Sequence, residues 1–147
     1  MFLLSAFPIT TAISSYPQKG LILKATYNAP QSVGFFGYLN YGSGGTTVDA
    51  FIQTSYDGGA SWWDILHFPQ WTTGTAAYLY NMTDAANSSN FTTLTNNQSL
   101  SAGVGVTAAL GSMFRALLTT TGTYAATALT IALITDTPLS NASGIEK

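Results

Sequence analysis

Six carboxylates, one histidine and one arginine make up almost all the acid–base chemistry this chain can field. Glycoside hydrolysis uses two carboxylates facing each other across a cleft. Glu146 falls in a loose C-terminal tail, which leaves Asp49, Asp57, Asp64, Asp84 and Asp136. Asp49 and Asp64 come within a few residues of each other if the segment between them is a hairpin. The simpler expectation for Asp64 is a solvent-facing carboxylate, or one bonded to a neighbouring backbone amide. His67 has no G-x-S-x-G elbow to serve as the base of a nucleophilic triad. No His or Cys cluster supplies a zinc set, and there is no cysteine at all. A solvent-facing or core-edge imidazole is the expected role of His67. Calcium on Asp57 and the Gly59 carbonyl is conceivable chemistry, but no EF-hand spacing accompanies it. The expected class is therefore non-enzymatic, with no cofactor and no metal.

The elements that would hold these residues read as strands. Leu21–Tyr27 alternates so as to put Lys24 and Thr26 outward, and Phe35–Tyr41 is aromatic and strand-like. Gly42–Gly45 reads as a flexible turn. Then comes the clearest unit, a strand with Val48, Ala50, Ile52 and Thr54 on one face and Asp49, Phe51, Gln53 and Ser55 on the other. Tyr56–Ala60 supplies glycines for a hairpin turn, and Trp62–Phe68 returns until Pro69 stops it. Ala76–Tyr80 is a further short strand, and the polar stretch Asn81–Ser101 a long loop. Val104–Leu110, Met113–Thr119 and Tyr124–Ile134 close the series, and Thr135 onward reads as an irregular tail. No segment shows a capped 3.6-residue period. These features predict an all-β single domain over 1–147, a β-sandwich of jelly-roll or Greek-key type, with an N-terminal arm at 1–18 and a C-terminal tail at 135–147. The apolar start, Met1–Ile9, lacks a positive n-region and is interrupted by Pro8, so it reads as an arm or first strand rather than a signal peptide.

Aromatic residues are the other feature with binding potential. Trp63, Trp71, Tyr78 and Tyr80 are candidates for a subunit contact or a sugar-stacking surface, with Tyr38, Tyr41 and Tyr56 nearby in type. Adjacent residues in a strand face opposite ways, so Trp62 and Trp63 cannot both be core. Trp and Tyr suit interfaces because a large apolar body carries a polar tip. Five Asn-x-Ser/Thr triplets, beginning at Asn81, Asn87, Asn90, Asn97 and Asn141, fit an Asn/Ser/Thr-rich loop composition rather than glycan acceptors.

Composition narrows the partners. Only 7% of the 147 residues are charged while 46% are hydrophobic, against roughly 25% charged in an ordinary domain. Lys19, Lys24, Arg115 and Lys147 are the four fixed cations, too few and too scattered to neutralise a phosphate backbone. No run approaches the roughly 20 apolar residues of a spanning helix. Neither nucleic acid nor membrane is an expected partner. So uncharged a surface points instead to burial against other protein.

Ser55, Asp57, Gly58, Gly59 and Trp62 fit the structural hairpin pattern S-x-D-x-G-x-[ST]-W, and the run Ser55–Trp62 resembles the Asp-box of sialidases and other β proteins. In sialidases the box is structural and repeats; here there is one copy, and Arg115 alone cannot form their arginine cluster. More widely, Val48–Phe68 and Met113–Tyr124 resemble small β-sandwich structural proteins of tailed-phage virions. That resemblance implies a virion component, a capsid decoration, cement or minor capsid protein. Its partners would be the major capsid protein or other virion proteins, and it would form a homo-oligomer. A carbohydrate-binding module for host attachment and a tail or tube component are the alternatives.

Overall fold

The computed structural model describes residues 2–17, 23–25, 32–83, 93–106, 110–136 and 139–141. Twelve strands occur among them: β1 (Phe2–Ile9), β2 (Ile13–Pro17), β3 (Leu23–Ala25), β4 (Ser32–Asn40), β5 (Ser43–Gly44), β6 (Thr47–Ser55), β7 (Trp63–His67), β8 (Ala76–Thr83), β9 (Met113–Thr121), β10 (Tyr124–Ala125), β11 (Thr127–Thr135) and β12 (Leu139–Asn141). No helix is found among the described residues, so the chain is all-β, and its sheets are antiparallel. One large sheet runs β1-β11-β4-β8 and a second runs β12-β3-β9-β6-β7, with β2 also on β9; β10 and β5 form a third, two-stranded sheet. The pairings nest. β1 pairs with β11, β2 with β9, β4 with β8 and β6 with β7, so that early strands lie beside late ones and the innermost pair is a simple hairpin.

Alternation along the strands explains how the two large sheets come to share a core. In β4, Val33, Phe35, Gly37 and Leu39 are buried while the residues between them are at least partly exposed. In β11, Leu129, Ile131 and Leu133 are the matching inward set, and Ile52, Phe114 and Leu118 answer them from the other sheet. Phe35 meets Phe114 across the gap, ring centroids 6.1 Å apart and tilted by 59°, a favourable geometry for aromatic pairs. Gly37 sits among these large residues for a steric reason. A Cβ there would fall 3.0 Å from Trp71 Cη2 and 3.2 Å from Phe68 Cε1, so the absent side chain is what admits the tryptophan.

Several elements differ from the sequence expectation. Of the segment 1–18, the described residues 2–17 hold β1 and β2, each paired in a large sheet, so Phe2–Ile9 is the first strand rather than a free arm. Gly42–Gly45 is more than a loose turn, since β5 pairs with β10, and Gly44 and Gly45 take φ of 77° and 62°. At Gly45 a Cβ would fall 2.0 Å from the Tyr124 ring, whose hydroxyl donates to the Thr47 carbonyl at 2.7 Å. Tyr124–Ile134 is not one strand, because Ala126 at φ 52° divides β10 from β11. The tail 135–147 includes β12, which pairs with β3, and residues 142–147 lie outside the described set. Of Val104–Leu110, only Gly105 pairs, in a single bridge to Leu66; residues 107–109 lie outside the described set. The outward placement of Lys24 and Thr26 also lies outside it, as does Asp84.

Phe35 is fully buried at the contact between the sheets. Phe35→Ala is expected to cost about 3–5 kcal/mol, read as a lower urea midpoint with an unchanged slope.

Candidate functional site

The hairpin between β6 and β7 builds itself from local hydrogen bonds. Gly58 and Gly59 supply positive φ of 72° and 96°, and the Gly59 amide donates to Ser55 Oγ at 2.8 Å. Ser55 Oγ donates to Asp57 Oδ1 at 2.8 Å, and the Ser61 amide donates to the same oxygen at 2.8 Å. The Ser61 hydroxyl takes Asp57 Oδ2, and Trp62 Nε1 donates to the Gly59 carbonyl at 3.1 Å. The Ser61 hydroxyl and amide, with the Ser55 hydroxyl, hold the Asp57 carboxyl down at a pKa of about 2. Both carboxylate oxygens are therefore committed to turn groups, which accounts for Asp57 as a structural residue.

From that turn a polar row extends across the outer face of the β9-β6-β7 region. Arg115, on β9 opposite Gln53, lays its guanidinium over the Trp62 ring at 4.4 Å and donates from Nε to Gln53 Oε1 at 2.9 Å. Gln53 Nε2 then donates to Asp64 Oδ1 at 2.8 Å. Asp64 Oδ2 receives the Gln98 amide at 2.8 Å and the Thr95 hydroxyl at 3.2 Å. Burial draws the Arg115 pKa down from its usual value, and the charge of Asp64 offsets part of that. Asp64 is completely buried rather than solvent-facing, and the backbone amide it accepts from, that of Gln98, is a neighbour in space and not in sequence. Its partners come from a segment some thirty residues away, and a fully satisfied buried carboxylate of this kind fixes that segment in place.

Farther along the same face, His67 lies between two acceptors. Nδ1 is 2.8 Å from the Leu100 carbonyl and Nε2 is 3.1 Å from Asp49 Oδ1. Its ring stacks on Phe51 at 3.8 Å, and Gln70 Nε2 donates to both oxygens of Asp49 at 3.1 and 3.0 Å. Burial by itself would lower the His67 pKa, but the bonds to Asp49 and Leu100 outweigh it and the net shift is upward. Burial likewise raises Asp49, and the bonds from His67 and Gln70 reverse it to a net lowering. His67 is a core-edge imidazole whose two nitrogens face the Leu100 carbonyl and Asp49.

The segment 93–106 joins these clusters. Beside its contacts to Asp64 and His67, it bonds the edge of β7 through Asp64 N to Thr95 O at 2.7 Å, His67 N to Val104 O at 2.9 Å, Gly103 N to His67 O at 3.0 Å and Val106 N to Ile65 O at 2.8 Å. Its bonds to Asp64 and His67, the partners of Gln53 and Phe51, account for the burial of these two on the face opposite the shared core, while Ser55 is enclosed by its own turn. The sequence signal for it was weak: polar loop composition does not announce which strand a loop will cover.

The aromatic candidates do not form one open platform. Trp71 is 1% exposed, packed on Phe68 and Tyr78 with ring centroids 5.6 and 5.1 Å away, and its Nε1 donates to the Ala76 carbonyl at 3.2 Å. Trp71 is core, because Gly37 leaves it room. Tyr78 and Tyr80 pack partly buried against the same core, and Trp63 is half-buried at the start of β7. Among the described residues no three metal-ligating side chains gather. Among the described residues the exposed large apolar side chains are Tyr56, Val104, and Leu79 with Ile134 on the outer face of the β1-β11-β4-β8 sheet. Comparison with protein-family models, with curated proteins and with solved structures finds no match.

Asp64→Ala would strand the Gln98 amide, the Thr95 hydroxyl and the Gln53 amide, and is expected to cost about 3 kcal/mol in equilibrium unfolding. Asp57 has a folded pKa below its ordinary 3.8, so its stabilisation is present above about pH 4 and disappears as pH falls toward 2. Asp57→Asn should lower the melting temperature at neutral pH and flatten this acid-dependent stretch of the wild-type melting curve.

Proposed function

We propose that this protein is a non-enzymatic virion structural component, a capsid decoration, cement or minor capsid protein that packs against other virion proteins. The observation that carries this reading is where the charges go. Asp64 is buried, Asp49 and Arg115 are partly buried, and all three are taken up in hydrogen bonds within the fold, which leaves an already charge-poor chain with still less charge on its surface. On the outer face of the β1-β11-β4-β8 sheet, the described side chains include Phe36, Tyr38, Leu79, Asn81, Thr130 and Ile134 among small residues, with Asp136 at the rim. An apolar and hydroxyl-bearing face can be buried against a neighbour without desolvating ions. Repetition by symmetry then multiplies modest contacts.

The finer fold reading is a β-sandwich of jelly-roll type, and strand order supports it. The nested pairs β1 with β11, β2 with β9, β4 with β8 and the innermost hairpin β6 with β7 are the pattern of a long hairpin rolled into two facing sheets, with β12 added beside β3. Capsid and lectin domains share that architecture, so fold alone does not choose between them. Burial of Trp71 removes the strongest member of the aromatic groove a glycan-binding module would need, which favours the packing role.

Light scattering of the purified protein, alone and mixed with shells of its parent particle, tests this. Defined oligomers or saturable shell binding with weak salt dependence is the expected result. A monodisperse monomer that leaves shells untouched overturns it. Leu79→Lys with Ile134→Asp should weaken that association at least about tenfold and leave the melting temperature nearly unchanged, because both side chains are exposed.

A further inference from the structure

The row on the outer face of β6 and β7 contains the chain's single histidine in a position that only one protonation state can satisfy. A carbonyl oxygen is solely an acceptor, so Nδ1 facing Leu100 O at 2.8 Å must carry a proton. Asp49, ionised and held by Gln70, is also solely an acceptor, so Nε2 at 3.1 Å from it must carry the second. Neutral imidazole has one N–H and can serve one of the two oxygens. The ring is nearly enclosed, its side chain 9% exposed and that of Asp49 17%, so solvent gives little compensation for the bond lost.

We infer that His67 is a pH-gated latch: as an imidazolium it ties Leu100 of segment 93–106 to Asp49 of β6, and its deprotonation loosens that segment from β7. The groups around the ring are consistent in sign. Asp49 on β6 contacts it directly, Asp64 on its own strand adds a second negative field, the Leu100 carbonyl faces it from the covering segment, and Phe51 stacks beneath it without charge. Tyr124 also feels Asp49, and Arg115 is engaged by Gln53 and Trp62. Because His67 is raised above its ordinary 6.5, its stabilisation is full below that value and is lost as pH rises through its folded pKa. Asp49, lowered below 3.8, sets the opposite limit: its share is lost as pH falls through its folded pKa. The latch is closed between these limits. Above them the segment keeps its Asp64 anchor and its bonds to the β7 backbone, so the response is a local loosening over an otherwise open sheet edge.

Amide hydrogen exchange of the full chain, corrected for intrinsic pH dependence, tests this alongside NMR titration of the lone imidazole. Protection at Gly103 and Val104 should fall about tenfold as pH rises through the measured His67 pKa, with the Phe114–Leu118 amides unaffected. Asp49→Asn should carry the His67 pKa and the protection step together to lower pH. His67→Gln should abolish the step. Should His67→Gln not fold, the Asp49→Asn shift decides alone. Protection that is flat across the His67 titration, or a step that stays in place in Asp49→Asn, overturns the latch. So does an imidazole that titrates below 6.5 in the wild-type protein.

Discussion

Strand β6 is the constraint on which the rest of the structure depends. It lies between β9 and β7, and residues on both of its faces are buried. Toward the shared core this is ordinary apolar burial by Val48, Ala50 and Ile52. On the opposite face it requires cover for Phe51 and Gln53, and the cover must satisfy polar atoms as well as exclude water. Segment 93–106 does both. It brings the Gln98 amide and the Thr95 hydroxyl to Asp64 and the Leu100 carbonyl to His67.

That arrangement gathers four of the described ionisable groups on one face. Asp64, Arg115, Asp49 and His67 are spent on holding a loop and a turn, joined by the neutral amides of Gln53 and Gln70. Each of these four groups faces an internal partner. The opposite sheet carries the complementary surface, with Leu79 and Ile134 exposed and small residues around them. The two faces of the molecule thus differ in kind: one closed and polar beneath its cover, the other open and nearly uncharged.

Legibility in the sequence followed the range of the interactions. The hairpin Ser55–Trp62 could be read residue by residue, because its bonds span two to four positions. The alternation of β4 and the strand nature of β6, β9 and β11 could be read for the same reason. Trp71 could not: its burial depends on the absence of a side chain at Gly37, thirty-four positions earlier and on a different strand. Nor could Asp64, whose acceptor capacity is filled by residues more than thirty positions on. The edge role of the N-terminal residues was open as well, since β1 is defined by its partner β11 at the other end of the chain.

The sequence by itself determined an all-β chain with a self-contained hairpin turn and a surface poor in charge, because period-two alternation, positive-φ glycines and composition act locally or without regard to position. Tertiary structure decided which aromatic residues are core, which loop becomes the cover of β6 and β7, and which protonation state of His67 the fold accepts. Those outcomes depend on acceptors and empty volumes contributed by distant segments, and such partners exist only once the strands have paired.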